Sequence, residues 1–215
     1  MGAHERRIAA AVLELRPDVI LITGDSVDDV RYLGSLSEFL SMLETSAAKM
    51  ASLGNWEHWA HIEISTLRRE YERNGVQLLV NESTTVTIGS DRLLVAGLDD
   101  YTGGRPDLER AIAGAATGGR MALLAHSPAY RDAIGSLNPG IVPGMVMFSG
   151  HTHGGQIAPF GWAPFRPPGS GRYVRGWYRD HAIPMYVSRG LGTSLIPARF
   201  FSPPEVAFFE WNLAS

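Results

Sequence analysis

The stretch Asp18-Val-Ile-Leu-Ile-Thr-Gly-Asp25 decides the fold that this sequence predicts. Its centre is a continuous apolar run rich in β-branched residues, which is typical of a strand buried on both faces. Gly24 then allows a sharp turn that leaves the carboxylate of Asp25 directly after the strand. A helix is predicted before this strand, because residues 4–15 have apolar residues at helical spacing and Pro17 ends the segment.

Helices and strands continue to alternate through most of the chain. Periodicity predicts helices over 35–45, 59–73 and 107–116, and strands over 50–53, 76–80, 84–88, 92–98, 121–125 and 145–149. The proline-, glycine- and aromatic-rich remainder predicts hairpins, with strands near 172–178, 184–188 and 205–211. No repeat or linker interrupts the sequence, so residues 1–215 are predicted to form a single domain. The pattern favours an α/β fold, a two-sheet β-sandwich flanked by helices.

Composition argues against several classes of protein. Cysteine is absent, which excludes disulfides and thiolate metal sites. The formal net charge of −3 argues against nucleic acid as a stable partner, because such binding depends on neutralising phosphates. No run of about 18 apolar residues occurs, and the N-terminus begins an amphipathic helix and not a signal peptide. We therefore expect a cytoplasmic protein, with a peripheral membrane contact left open.

Polar residues able to bind a metal follow four of the apolar runs. These signals are Gly24-Asp25, Gly54-Asn55, Ala125-His126 and Gly150-His151-Thr152-His153. Functional residues of α/β proteins collect at the carboxyl ends of strands, so these side chains are expected to converge. Carboxylate and amide oxygens combined with imidazoles suit divalent Mn, Zn, Fe, Co or Ni ions. Alone, an aspartate after a strand is more often a turn or a helix cap, a single histidine is more often a satisfied polar residue, and His-x-His is about evenly balanced. Only the combination indicates a metal site.

These motifs, taken in order, resemble the calcineurin-like metallophosphoesterase superfamily. They are Gly24-Asp25-Ser-Val-Asp28, Gly54-Asn55-Trp56-Glu57, His126-Ser-Pro and Gly150-His-Thr-His-Gly-Gly-Gln156. The last of them is similar to the bacterial phosphodiesterase branch, which includes hydrolases of the diacylglucosamine pyrophosphate bond. Ser188-Arg-Gly-Leu-Gly-Thr193 and Phe201-Ser-Pro-Pro-Glu205 resemble that branch too. The resemblance covers nearly the whole chain from residue 8.

The resemblance implies a hydrolase of phosphoesters, above all phosphodiesters, that uses one or two divalent ions. Asp25 would bridge two ions, Asn55, His126 and His151 would complete one site, and His153 would contribute to the other. Such ions activate a water molecule and neutralise charge on the phosphoryl oxygens, so no nucleophilic side chain is needed. The implied substrate is a small-molecule or lipid-linked phosphoester.

The sequence departs from this family at the first strand. Family members begin with a strand ending in Asp-x-His, which supplies ligands to the site that His153 joins, and no Asp-x-His precedes Asp25. The first strand of the sandwich is therefore expected to be missing. Because unpaired strand edges are costly, we expect the gap to be closed by neighbouring strands or by a second copy in a homo-oligomer.

A second departure concerns the residue after Asn55. The family has a histidine there that contacts the phosphate and assists the leaving group, whereas this chain has Trp56. Loss of such a group typically lowers the rate by about 10²–10⁴. His58, two residues on, is the candidate catalytic replacement, and a plain surface or capping role is the alternative.

Two other functions fit parts of the sequence. Ser46-Ala-Ala-Lys49 matches the Ser-x-x-Lys dyad of some serine esterases, although Gly-x-Ser-x-Gly and the partner motifs Ser-Asp-Asn and Lys-Thr-Gly are absent. A degenerate fold that binds a phosphorylated lipid or partner without catalysis is the other alternative, because metal ligands are missing.

The aromatic and arginine-rich segments 160–165 and 172–178 also have two interpretations. One is a hairpin whose aromatic rings pack on the sheet. The other is a rim that binds an acyl or aryl group of the substrate or touches a membrane, with arginines facing phosphates.

Overall fold

A computed structural model describes residues 2–114, 119–137 and 144–212. Three parallel strands form the first sheet in the order β1 (Val19–Ile22), β2 (Ala48–Ala51) and β3 (Val76–Leu78). Parallel pairing suits these strands because helices lie between β1 and β2 and between β2 and β3, and they return the chain to the end of the sheet where each strand begins. The carboxyl ends of β1 and β2 therefore lie side by side.

The second sheet has six strands in the order β4-β5-β6-β7-β9-β8. They are β4 (Glu82–Ile88), β5 (Asp91–Gly97), β6 (Arg120–Leu124), β7 (Met145–Ser149), β8 (Gly176–Tyr178) and β9 (Met185–Val187). The first two form an antiparallel hairpin, β5, β6, β7 and β9 run parallel, and β8 closes the edge in the antiparallel direction. The carboxyl ends of β5, β6 and β7 consequently lie at the same end of the second sheet.

Helices cover the outer faces of the two sheets. They are α1 (Ala3–Leu15), α2 (Leu33–Ser41), α3 (Asn55–Trp59), α4 (Ile64–Arg73), α5 (Leu108–Ile112) and α6 (Tyr130–Leu137). Buried residues of β2, β5 and β6, including Met50, Val95 and Leu124, pack together between the sheets. The expected two-sheet α/β sandwich is thus confirmed. Among the described residues, no helix combines the length and apolar character that crossing a membrane requires.

Several predicted elements differ from the structure, and one helix was not predicted. The helix predicted over 107–116 ends at Ile112 as α5, with 115–116 outside the described residues, and the strand predicted near 172–178 is shortened to β8. The helix expected over 59–73 is divided into α3 and α4, and α6 was not foreseen. The predicted strand 205–211 is not a strand, although its side chains alternate between partly buried and exposed as a strand's would. Phe209 and Trp211 pack on Phe148 while the backbone of this segment makes no ladder with the described strands.

In the part of the chain that the structure describes, the first sheet has an open edge at β1. Within the described ranges, β1 pairs with β2 alone, so no neighbouring strand has closed the other side of β1. All four residues of β1 are partly exposed, in contrast to the buried central strands β6 and β7.

Candidate metal centre

Three of the predicted ligands converge where the two sheets meet. Asp25 follows β1, His126 follows β6 and His151 follows β7, and their ligand atoms all lie within 4.8 Å of one another. The rings of His126 and His151 meet edge to face with centroids 5.0 Å apart. The site therefore combines a residue of the first sheet with residues of the second.

Asp25 sits in a strained turn that aims its carboxylate inward. Its φ of 54° is left-handed, a conformation that side chains other than glycine rarely adopt. Gly24, with φ 93°, packs directly on the backbone of Leu53 and Gly54, where a Cβ would find no room. Asp25 Oδ1 accepts a hydrogen bond from the Trp56 amide at 2.9 Å. Its Oδ2 is left facing His126.

The carboxylate of Glu57 holds this turn in place. Glu57 is buried and accepts hydrogen bonds from the backbone amides of Asp25, Ser26 and Val27 at 3.1, 2.6 and 3.4 Å. It also accepts one from the Gly54 amide at 2.9 Å, at the start of α3. One side chain thereby ties the turn after β1 to the turn after β2. Sequence reasoning did not identify this role, because its partners lie about thirty residues away.

A backbone contact fixes the orientation of the His126 ring. Its Nδ1 donates to the Thr23 carbonyl at 2.6 Å, so loss of a proton from the ring would leave the lone pair on Nε2. Nε2 is buried 2.9 Å from Asp25 Oδ2 and lacks a hydrogen-bond partner of good geometry. Burial alone lowers the pKa of His126, but the adjacent Asp25 carboxylate outweighs burial and raises that pKa to about 9. A buried nitrogen held against a carboxylate is a favourable position for a cation.

Asn55 joins the site through His151. Asn55 Oδ1 lies 2.7 Å from His151 Nδ1, and the Pro168 carbonyl lies 2.6 Å from His151 Nε2. Burial, followed by the positive charge of His126, lowers the pKa of His151 to about 4, so its ring is neutral at neutral pH. A neutral ring has one N–H for these two acceptors. Asn55 Oδ1 and His151 Nδ1 would both hold a divalent ion, and His151 Nε2–H would then donate to the Pro168 carbonyl.

His153 lies beside this group and not within it. It is part of the 3₁₀ turn His153–Gly155, and its Nδ1 is 3.5 Å from Arg199 Nη2. Burial and then Arg199 lower the pKa of His153, while the nearby Asp25 carboxylate opposes them. The described residues therefore supply one well-formed group of donors, and the role of His153 in a second site stays a prediction.

His58 forms a close pair with an acidic residue that the sequence analysis missed. His58 Nε2 lies 2.6 Å from Asp99 Oδ1, and this hydrogen bond raises the pKa of His58. His58 is three residues after Asn55 in α3, a spacing that places both on one side of the helix. Whether His58 acts in catalysis stays a prediction, but its position and partner are compatible with that role.

Asp99 and the buried Asp100 follow β5, so they lie at the same end of the second sheet as His126, which follows β6. Asp100 accepts hydrogen bonds from Ser127 Oγ at 2.6 Å and from the Thr102 amide at 2.7 Å, which fixes the loop beside the site. The signal that revealed the other residues, polar side chains after an apolar strand, is also present here and would have found this pair.

The alternative serine dyad is not assembled. Lys49 Nζ donates to the Leu43 carbonyl at 3.2 Å, and Ser46 is exposed in the turn before β2. This turn lies at the amino end of β2, and Asn55 follows the carboxyl end, so the dyad is at the opposite end of the sheet from the metal group.

Comparison with solved structures supports the fold. The chain is similar to the sulfate thiohydrolase SoxB from Thermus thermophilus, with a TM-score of 0.56 over 86% of this chain and 37% of that one. The identity is 12%, so this likeness concerns the fold alone. No protein-family model matches the sequence.

Curated relatives give a closer comparison. The Bacillus subtilis protein named uncharacterized metallophosphoesterase YkuE is 29% identical over 95% of this chain and 71% of its own length. The Escherichia coli phosphodiesterase YaeI is 31% identical over 92% of this chain and 72% of its own length. Similarity that extends this far along both chains makes the present one a member of the metallophosphoesterase family of hydrolases.

Proposed function

We propose that this chain hydrolyses phosphodiesters with the help of at least one divalent ion held by Asp25, Asn55, His126 and His151. The observation that supports this most directly is the convergence of Asp25, His126 and His151, in which the Nε2 of His126 is buried without a good hydrogen-bond partner. Nitrogen and oxygen donors in this combination suit Mn²⁺, Zn²⁺, Fe²⁺, Co²⁺ or Ni²⁺.

The protein's own contribution is to fix these donors before substrate binds. The Thr23 carbonyl selects the tautomer of His126, and the Pro168 carbonyl accepts from the ring of His151. Glu57 holds the backbone of Asp25 in its left-handed turn. When bound, a divalent ion supplies Lewis-acid activation of water and neutralises charge on the phosphoryl oxygens.

His58 is our proposed acid for the leaving group in place of the residue that Trp56 replaces. Its hydrogen bond to Asp99 raises its pKa, which favours the protonated ring that can donate a proton. His58→Ala is expected to lower kcat by about 10²–10⁴ if the ring transfers this proton. The effect should shrink for a phosphodiester whose leaving group needs no protonation, such as p-nitrophenol.

The test of the proposed function uses purified protein, bis(p-nitrophenyl) phosphate and added Mn²⁺. Turnover that is lost with a chelator and restored by Mn²⁺ is the expected result, and His151→Ala should abolish it. Ser46→Ala is the matched control and should retain full turnover, because Ser46 lies at the other end of the sheet. Turnover that resists the chelator but fails in Ser46→Ala would instead establish a serine esterase. Metal binding without any turnover would establish a non-catalytic binding protein.

A further inference from the structure

Two loops beside the metal centre expose an unusual amount of apolar surface. We call this surface the apolar rim, and its main members are Phe160, Trp162, Phe165, Leu195, Phe200 and Phe201. Phe160, Phe165 and Leu195 are 94%, 80% and 90% exposed. Proteins that act alone in water rarely expose large contiguous apolar patches, so a surface of this kind marks a site of interaction.

The rim is one surface, because the two loops are bonded to each other. The Phe160 and Phe201 rings are 5.4 Å apart, and the Ala158 amide donates to the Phe200 carbonyl at 2.9 Å. The side-chain amide of Gln156 donates to the Ser194 and Ile196 carbonyls at 3.0 and 2.8 Å. These contacts present the aromatic side chains together on a defined scaffold.

The rim is joined directly to the metal-centre loop. Ser202 Oγ donates to the His153 carbonyl at 2.7 Å, and Arg199 Nη1 donates to the same carbonyl at 3.2 Å. Gln156, which bonds the second loop, is three residues after His153 in the sequence. A partner bound at the rim would therefore lie next to the predicted ligands.

Positive charge is concentrated in the same part of the chain. Residues 151–200 contain six arginines and one aspartate, which gives this segment a net charge of +5. Because the whole chain has a net charge of −3, the remaining residues together carry −8. Arg166 and Arg175 donate to the Gly171 and Phe201 carbonyls, and neither has a carboxylate partner within the described part of the chain. Their charge is available to a negatively charged partner.

We propose that the apolar rim docks on the surface of a bilayer that contains anionic phospholipids. Exposed phenylalanine and tryptophan side chains can enter the headgroup region, and nearby arginines can bind lipid phosphates. A second copy of the chain is a less suitable partner for the apolar rim, because a symmetric contact there would bring two strongly basic segments together. This inference goes beyond the proposed function, because it concerns where the chain binds and not what it hydrolyses.

The test is sedimentation of the full chain with vesicles, without substrate or added metal. Vesicles of phosphatidylcholine with about one third phosphatidylglycerol are expected to bind the protein, and added salt should weaken that binding. Phe160→Ser and Leu195→Ser, one from each loop, should each weaken binding about tenfold. Arg166→Gln should weaken binding to the anionic vesicles.

A matched control tests whether any exposed apolar residue would behave in this way. Leu15 is 42% exposed at the end of α1, next to the amino end of β1 and thus opposite the metal centre. Leu15→Ser should leave vesicle binding unchanged. Circular dichroism should show the same fold in all variants, and the use of two loops keeps the test valid if one variant unfolds.

Failure of this inference is distinguishable from failure of the proposed function. Hydrolysis of soluble bis(p-nitrophenyl) phosphate by the unmodified protein tests the function alone. An active enzyme that does not sediment with vesicles, or whose binding is unaffected by Phe160→Ser and Leu195→Ser, overturns the membrane inference. Self-association that both substitutions abolish, without vesicle binding, would overturn it in favour of a contact between copies.

Discussion

Glu57 shows how one residue can shape a candidate metal centre through backbone hydrogen bonds alone. Its buried carboxylate accepts four backbone hydrogen bonds that hold Asp25 in a left-handed turn beside Gly54. A glutamine would turn an N–H₂ group toward some of these donors, and alanine would leave all of them unpaired. Hydrogen-bonding partners of ligand-bearing segments are commonly as important as the ligands themselves.

We therefore predict that Glu57→Gln and Glu57→Ala weaken Mn²⁺ binding about 10- to 100-fold. Calorimetric titration measures this directly and does not depend on turnover. Glu44→Gln, an exposed carboxylate on the surface, is the control and should bind Mn²⁺ normally. Normal Mn²⁺ affinity in both Glu57 variants would show that the turn holds its shape without this side chain.

The second prediction is that the His126 ring releases a proton when Mn²⁺ binds. The Asp25 carboxylate overcomes burial and raises the pKa of metal-free His126 to about 9, so the ring is protonated at neutral pH. A ligating Nε2 must be unprotonated, so Mn²⁺ binding near pH 7 should release about one proton and should strengthen as pH rises toward 9. Calorimetric titration with Mn²⁺ in two buffers of different ionisation enthalpy measures the number of protons that are released on binding. A Mn²⁺ affinity that does not change between pH 6.5 and 9 would contradict the proposal that His126 Nε2 binds the ion.

Sequence reasoning at this scale predicted which residues come together where each one directly follows a strand. Asp25, Asn55, His126 and His151 each follow an apolar run, and the structure brings them close to one another, while their roles as ligands stay a prediction. The role of Glu57 could not be predicted in the same way. It depends on three amides about thirty residues earlier, and no periodic pattern links such partners.

At the scale of elements, the strands were easier to predict than the helices and the tail. Buried parallel strands are nearly continuous apolar runs, so β1, β6 and β7 were evident. The helix predicted over 59–73 failed because the metal-binding turn starts its own short helix at Asn55, and the chain then bends before α4. Segment 205–211 has the alternating burial of a strand but pairs with none of the strands that the structure describes.

Helix α6 was not predicted, and a buried cation contributes much of its attachment to the tail. Arg131 is fully buried in α6, where Nε donates to the Ile183 carbonyl at 2.7 Å and Nη2 to the Tyr178 carbonyl at 3.2 Å. Its Nη1 also bonds Asp180 at 2.9 Å. These contacts connect α6 to the hairpin of β8 and β9.

Arg131→Met should destabilise the fold by roughly 2–4 kcal/mol, because it keeps much of the side-chain volume but leaves buried carbonyls unpaired. Urea unfolding measures the change in free energy. Arg73→Met, at a side chain that is 70% exposed, should change stability by less than about 0.5 kcal/mol. Equal stability of the two variants would mean that α6 and the hairpin are held together by apolar packing alone.

At the scale of the whole molecule, the metal centre depends on how the two sheets are held together. Asp25 and Asn55 come from the first sheet, and His126 and His151 come from the second. Within the described ranges, the first sheet is the smaller one, with three strands, and β1, which precedes Asp25, lies at its edge. Anything that pairs with β1 therefore also supports one side of the metal centre.

The open edge of β1 leads to the last prediction, that the chain associates with a second copy through this strand. The Asp18 and Ile22 carbonyls accept hydrogen bonds from the Ala48 and Ser52 amides, so even-numbered residues of this strand face β2. In a parallel ladder, the backbone of Val19 and Leu21 must then face the open side. Val19→Pro would remove one outward N–H at the first residue of the strand, where proline is tolerated, and should convert a dimer into a monomer. Val19→Ala controls for the lost side chain and should remain dimeric. Light scattering after size-exclusion chromatography gives the mass of each species, and a strictly monomeric unmodified protein would contradict this prediction.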